Sequence, residues 1–500
     1  MREGKVGEEQ EGSGLGGARR PASRTQSVVA MPRWRRVLLA LLVAAAWFGP
    51  ALLPAPPPPV PTTPPPSPRV IVAYSLESQV QMEQRVPVPC SPPPPPPRAA
   101  PAWQQTARHA HLYSAHYDVR LPTHHYVRIV AMLEGHDNGS FFCQVWFGGQ
   151  PLVMEALEAD MWVSSWDRED PASLYRPVLL SCPIPRERSV LGDWPSGVSV
   201  ARKPCDVARS MLVIAPPPSH PPRDFAVCVK GMDFPREDIS RRLVEWLELN
   251  RLLGADEFFM YVYGVHPNIK KVLDRYSRAG VVKVVPLKLP GKQPNSPAGR
   301  SRFLRTHLWQ KRRNEVVPYN DCFYRNLYAH RYVLPLDVDE VIVPTSGRTW
   351  RDVLAGLEPR LLDGFASLSV RNAYFFDDFP SESASRFPAH MHVLRHTTRS
   401  ANFSPADEAV KSFVSTRWAL TVFNHYALRT VDPAVGRSVV LDTAVAQLNH
   451  YKASCSPLMV HDCHSNFLKY RVDDGVVLRF ADELMARVDP VLRELGLLPR

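Results

Sequence analysis

The chain has 500 residues, 52 of them proline, and 60 Lys and Arg against 49 Asp and Glu give it a formal net charge of +11. An apolar fraction of 45% is ordinary for globular proteins, and the length allows two or three domains. The basic excess suits phosphates, nucleotides or an anionic membrane. No zinc-finger spacing or basic-aromatic RNA-binding motif accompanies it, so nucleic acid is not an expected partner.

Residues 1–36 read as a basic, disordered tail ending in Arg33-Trp34-Arg35-Arg36. Residues 37–53 are an uninterrupted apolar run of 17 residues, at the short end for a membrane span and suited to a thin early-secretory membrane. The basic flank precedes it and should stay cytosolic, which makes a type II signal-anchor with the rest of the chain lumenal. A cleaved signal peptide is the competing reading: with translation starting at Met31 rather than Met1, Ala44-Ala45-Ala46 would precede the cut. Both place the bulk of the chain in the secretory pathway. Residues 54–102, with six consecutive prolines at 92–97, read as a semi-rigid polyproline II stem.

Residues 103–214 change character. Tyr126–Leu133 and Phe141–Phe147 read as strands separated by the turn sequence His136-Asp137-Asn138-Gly139, which predicts a small β-rich domain. Asn138-Gly139-Ser140 is an N-glycosylation sequon, and Asn402-Phe403-Ser404 is a second, followed by Pro405. The eight cysteines are Cys90, Cys143, Cys182, Cys205, Cys228, Cys322, Cys455 and Cys463. They include no Cys-x-x-Cys pair, and their even number in a chain with a membrane signal predicts disulfides, with pairing left open. Cys90 stands alone in Pro-rich sequence, either free or bridging two copies as a homodimer.

After a linker at 215–222 the pattern alternates over residues 222–500. Phe225–Val229, Phe258–Val262 and Val281–Val285 read as strands, Ile239–Leu253 and Pro267–Ser277 as helices, and a further helical stretch covers about 321–330. This order predicts a mostly parallel α/β sheet with helices on both faces, whose ligands bind at the carboxyl ends of strands. The apolar run Tyr332–Leu336 leads to such an end, at Asp337-Val338-Asp339-Glu340. In extended chain, residues at i and i+2 face the same side, so Asp337 and Asp339 can converge on a hard cation. That cation could neutralise a diphosphate, as a nucleotide-sugar-dependent glycosyltransferase requires. Alternatively the pair merely starts a turn. A calcium loop would need more alternating acids and a Gly, and an Asp-nucleophile phosphatase would carry Thr where Val341 stands. No Gly-rich phosphate loop is present.

Several segments in order resemble glycosyltransferase family 92: Tyr113–Ala115, Phe142–Phe147, Val244–Gly254, Asn320–Arg325, Leu336–Pro344, Lys411–Val414, His425 and Asn449–Lys452. The resemblance implies a GT-A-like nucleotide-sugar-binding domain over 222–500, behind the smaller β-rich domain. It also implies a divalent metal such as Mn2+, UDP-galactose as donor, and a glycan or glycoprotein acceptor. Inverting β-1,4 transfer to a galactose or fucose of an N-glycan, in the Golgi membrane, is the expected activity. Asp337 and Asp339 match the metal and diphosphate motif, and His450 a late metal-ligating His. Lys452 stands where the family usually has Arg, keeping the charge but not the bidentate fork. Arg325 is a further candidate for the donor phosphates.

A carboxylate should deprotonate the acceptor hydroxyl. Candidates are Asp377 and Asp378, among aromatics that could stack on sugars, and Asp407 or Glu408; the first pair could equally cap a loop. Glu340 fits better as an orienting group. Two other clusters, His109, His111, His116, His124 and His125, and then His461, Cys463 and His464, do not read as zinc sites, the latter because Cys463 is expected to be oxidised. The alternative function is a membrane-anchored carbohydrate-binding protein without catalysis.

Overall fold

The computed structural model describes residues 103–498 together with Cys90, Ser91 and Pro95, except 108, 136–138, 149–150, 168–172, 186–193, 407 and 456–462. The chain divides into a unit at Met1–Tyr74 and a unit at Ser75–Arg500, and all the described residues belong to the second. The tail at 1–36, the apolar run at 37–53, nearly all of the stem at 54–102, Asn138, Asp407 and His461 lie outside the described residues. Among those described, no helix is long and apolar enough to cross a membrane.

The N-terminal part is β-rich. One antiparallel sheet orders Gln104–Ala107, Ala110–Asp118, His125–Glu134, Tyr175–Ile184 and Leu157–Asp160; a second orders Leu152–Glu155, Phe142–Trp146, Gly197–Ala201 and Leu212–Val213. Cys143 and Cys182 join the two sheets. Cys90 bonds Cys205 of the same chain, so it is neither free nor a bridge between two copies.

The larger part contains β1 (Arg223–Phe234), α1 (Ser240–Leu253), β2 (Glu257–Val265), α2 (Pro267–Arg278), β3 (Val282–Pro286), α3 (Pro297–Thr306), α4 (Leu308–Arg325) and β4 (His330–Pro335). Then come β5 (Glu340–Pro344), β6 (Ser367–Val370), β7 (Asn372–Phe376), β8 (Lys411–Ser415), β9 (Val439–Val440), β10 (Ala446–Lys452) and α5 (Ala481–Glu494). The main sheet runs β3-β2-β1-β4-β8-β6-β9. Its first four strands are parallel, but β8 is antiparallel to both β4 and β6, so the sheet is more mixed than the sequence predicts. β5 leaves it for a small sheet, β5-β10-β7.

Strand alternation builds two cores. Val227 and Val229 of β1, with Phe258 and Met260 of β2, pack against Leu243, Trp246 and Leu247 of α1. Their neighbours Ala226, Cys228, Phe259 and Tyr261 face Val316, Tyr319 and Phe323 of α4, where Tyr113, Val130 and Leu179 of the β-rich part join them. α1 ends at Gly254, whose φ of 120° suits a residue without Cβ and whose N–H closes on the Asn250 carbonyl. α4 begins well before the helix expected at 321–330 and stops at Arg325; Pro318 lies inside it, and the surrounding core carries the helix through a residue that costs it a hydrogen bond.

Two tryptophans fix the otherwise unpaired edge of β5. Trp246 Nε1 donates to the Glu340 carbonyl at 2.7 Å, and Trp350 Nε1 to the Ile342 carbonyl at 2.8 Å. Both indoles are essentially buried, so each donor needs its acceptor.

Candidate active site

The acidic turn lies between β4 and β5, at the carboxyl end of the parallel strands, where ligands of such sheets bind. Its backbone closes on itself: the Glu340 N–H donates to the Asp337 carbonyl and the Asp337 N–H to Glu340 Oε2, each at 3.0 Å. The register across the small sheet sets Glu340 opposite His450, with Tyr374 on the other side of His450.

Asp337 and Asp339 have different surroundings. Lys230 Nζ of β1 lies 3.0 Å from Asp337 Oδ2, Lys411 Nζ of β8 lies 3.5 Å away, and the Tyr319 hydroxyl donates to Oδ1 at 3.3 Å. Burial pushes the Asp337 carboxyl up, but Lys230 and then Lys411 outweigh it and hold it far below the usual carboxylate range. Burial likewise opposes the charge on Lys230 and Lys411, and Asp337 restores it, raising both ammonium groups. Lys411 also pairs with Glu340 Oε2 at 3.0 Å and is almost wholly buried.

Asp339 is partly open to solvent, its side chain 48% exposed, with Oδ2 3.4 Å from His450 Nε2. Desolvation pushes its carboxyl up, and His450 and Lys452 overcome that and lower it. Behind His450 Nδ1 stand the Asn372 amide at 3.0 Å and Glu340 Oε1 at 3.6 Å. Two donors about 2.1 Å from one ion and at right angles stand roughly 3 Å apart. The spacing of Asp339 and His450 therefore suits a divalent cation, and ligation through Nε2 requires Nδ1 to carry the proton, with the Asn372 amide turned to present its oxygen there. Asp337 is turned to its lysines: among the described residues, the three whose ligand atoms all lie within 4.8 Å of one another are Asp377, His392 and His396, not Asp337, Asp339 and His450.

Other sequence candidates lie elsewhere. Arg325 is not directed at the acidic turn; its Nε binds buried Asp321 at 2.6 Å, and it lines a separate cavity with His116, Lys283 and Trp194. Asp377 faces Arg242 and His392, each at 3.5 Å, while Asp378 is exposed. Burial first, then His396, Arg242 and Arg395, push the His392 imidazole down to about 3. Glu408 is exposed, and with burial and Glu340 it raises the Tyr374 phenol, whose ring centroid lies 5.6 Å from that of His450. Asn402 is exposed and donates to the Asn466 carbonyl at 3.1 Å. Cys463 is bonded to Cys455, as expected of an oxidised residue. His425 donates to the Val410 carbonyl at 2.8 Å.

Lys230, Lys411, Tyr319 and Asn372 were not legible as site residues. Lys411 gives one signal, its place at the head of a segment that resembles family 92. The others come from three distant elements and meet only in the fold.

A sequence profile of glycosyltransferase family 92 matches residues 223–479, the span of the main sheet and the acidic turn. The chain belongs to glycosyltransferase family 92. It is also similar to beta-1,4-galactosyltransferase galt-1 of Caenorhabditis elegans, at 23% identity over 278 residues. That match covers 55% of this chain and 56% of the relative. All the residues around the acidic turn, from Lys230 to Lys452, fall within the family 92 match.

Proposed function

We propose that this protein transfers galactose from UDP-galactose to a glycan, with inversion and β-1,4 linkage to a galactose or fucose of an N-glycan, as a Golgi type II membrane enzyme. The observation that carries the reading is the convergence of Lys230, Lys411, Asp339 and His450 at the carboxyl end of the parallel strands, inside the family 92 match. The relative named for β-1,4-galactosyl transfer supports the donor and linkage. The GT-A-like fold is what membership of family 92 implies, and four parallel strands that lead to an acidic turn beside an antiparallel β8 are compatible with it.

Asp339 and His450 would hold the divalent ion, manganese by the chemistry of a carboxylate and an imidazole, with Glu340 behind His450. When bound, such an ion supplies Lewis-acid stabilisation of the diphosphate leaving group. Lys230, partly exposed beside Asp337, is placed to meet a donor phosphate, and Lys411 neutralises the acids from below. Lys452, whose charge already acts on Asp339, adds to the positive potential. Glu408, exposed three residues before Lys411, is our assignment for the base that takes the acceptor proton. Asp378 is the second carboxylate to test.

The experiment measures UDP release and galactosyl transfer by the purified chain with manganese. Transfer should prefer UDP-galactose, stop with EDTA, and fall at least a hundredfold in Asp339→Asn with the melting temperature unchanged. Binding of a glycan without any turnover of UDP-sugars would replace this reading with that of a non-catalytic carbohydrate-binding protein.

A further inference from the structure

A second group of ligating side chains stands apart from the acidic turn. His392 and His396 are four residues apart on and just after the single helical turn His392–Arg395, so their rings overlie one another, with centroids 4.1 Å apart. Asp377 comes from the turn after β7, and its Oδ1 lies 3.5 Å from His392 Nε2. One ligand atom from each of the three lies within 4.8 Å of the others.

Beyond that long approach to each other, the two facing polar atoms here lack partners. Asp377 Oδ1 and His392 Nε2 are both buried without a hydrogen-bond partner, and His392 is only 9% exposed. Buried polar atoms are rarely left unsatisfied, and an ion is one explanation when they face each other. The tautomer of His396 is fixed by chemistry. Its Nδ1 lies 2.7 Å from the His392 carbonyl, which can only accept, so Nδ1 carries the proton and Nε2 keeps its lone pair. A backbone carbonyl bound to one ring nitrogen is the usual support for an imidazole that ligates through the other.

The frame is held in place without an ion. The Val393 N–H donates to the Glu245 carboxyl group at 3.0 Å, and the Leu394 N–H at 3.4 Å. Arg395 is turned away, donating to the carbonyls of Ala384 and Phe387. The Asp377 N–H donates to the Lys452 carbonyl at 2.9 Å. Arg242, half exposed, approaches Oδ2 rather than Oδ1. Two imidazoles and one carboxylate supply three ligands of a zinc-type donor set.

We propose that Asp377, His392 and His396 bind a divalent cation of the zinc class, at a site separate from Asp339 and His450. Such an ion would tie the Asp377-Asp378 turn to the His392–Arg395 turn. That places a cross-link at the end of β10, two residues from His450.

The test strips the full chain with a chelator and titrates it with Co2+, reading the visible bands of a tetrahedral ion, then displaces it with Zn2+ and counts bound zinc by mass spectrometry. One Co2+ with tetrahedral bands is expected, unchanged in His450→Gln. His396→Gln should weaken zinc binding at least tenfold and abolish the bands, and Asp377→Asn should weaken it similarly. Asp377 is at the surface of the cluster, so its variant carries the test if His396→Gln does not fold. No tetrahedral signal from the unaltered chain would overturn the proposal. So would bands that persist in both cluster variants, or that are lost in His450→Gln alone.

Discussion

Lys411 Nζ lies 3.0 Å from Glu340 Oε2 and 3.5 Å from Asp337 Oδ2, a buried cation shared by two acids of one turn. Lys411→Met strands the Glu340 carboxylate in the core, and breaking a buried pair from one side costs about 3 to 5 kcal/mol. Urea unfolding should show that loss. Adding Glu340→Gln should recover part of it, since the stranded charge is then gone. If the double variant is no more stable than Lys411→Met, the pair does not govern the stability of the turn.

The two aspartates should respond differently. Asp337 meets two lysines and Tyr319, so Asp337→Asn should lower stability by about 2 kcal/mol or more as well as donor affinity. Asp339 is half exposed and meets His450, so Asp339→Asn should leave the melting temperature within a degree or two and weaken manganese binding by tenfold or more. Paramagnetic titration with Mn2+ alongside melting curves separates the two. Equal losses of stability would contradict the different surroundings of the two carboxylates.

Acid should destabilise the fold before the carboxylates titrate. Burial first, then Arg223 and His220, push the His330 imidazole down to about 3. In the unfolded chain it titrates near 6.5, so its contribution is complete above about pH 6.5 and is lost as pH falls toward 3. The unfolded state gains the proton first, and the loss reaches about 2 kcal/mol by pH 5. His425, pushed down to about 3 by burial and then Lys411, acts in the same direction. Glu245 acts oppositely: burial raises it to about 8 against the backbone N–H groups of Val393 and Leu394, so its contribution is complete below about 4.5 and lost as pH rises toward 8. Melting temperatures of His330→Gln from pH 5 to 7 should vary less with pH than those of the unaltered chain.

Trp246→Phe removes the N–H bound to the Glu340 carbonyl, and Trp350→Phe the one bound to Ile342. Each leaves a buried acceptor unpaired and should cost about 1 to 3 kcal/mol. Only Trp246→Phe changes the support of Glu340, so it alone should also raise the KM for donor. Comparable KM changes in both variants would show that the indole bonds act on the fold as a whole.

Much of this arrangement was readable from residue patterns. The strand–helix order from Phe225 to Val285 follows from local periodicity, and the acidic turn from an apolar run that ends in carboxylates. The span of α4 was hidden because Pro318 breaks the helical pattern locally while the core on both its sides maintains it. The antiparallel entry of β8 between β4 and β6 depends on pairings across more than 40 residues, and no local signal reports them. Lys230 looks like a solvated lysine following a strand and becomes a partner of Asp337 only through the parallel pairing of β1 with β4. Arg325 is paired away from the acidic turn for a related reason: its sequence distance from Asp337 is short, but its side chain binds Asp321, one helical turn back.

The bond between Cys228 and Cys322 joins β1 to α4 across 94 residues of sequence. Cys228 precedes Lys230 by two residues and Cys322 follows Tyr319 by three, and both of those side chains reach Asp337. Closing a loop of that length restricts the unfolded chain by roughly 4 to 5 kcal/mol in a chain-entropy account. Maturation of the acidic turn is thereby coupled to thiol oxidation. The same polypeptide made in a reducing compartment would have every charge around Asp337 but lack the covalent tie between the elements that deliver them, so an oxidising host is part of the recipe for the active protein.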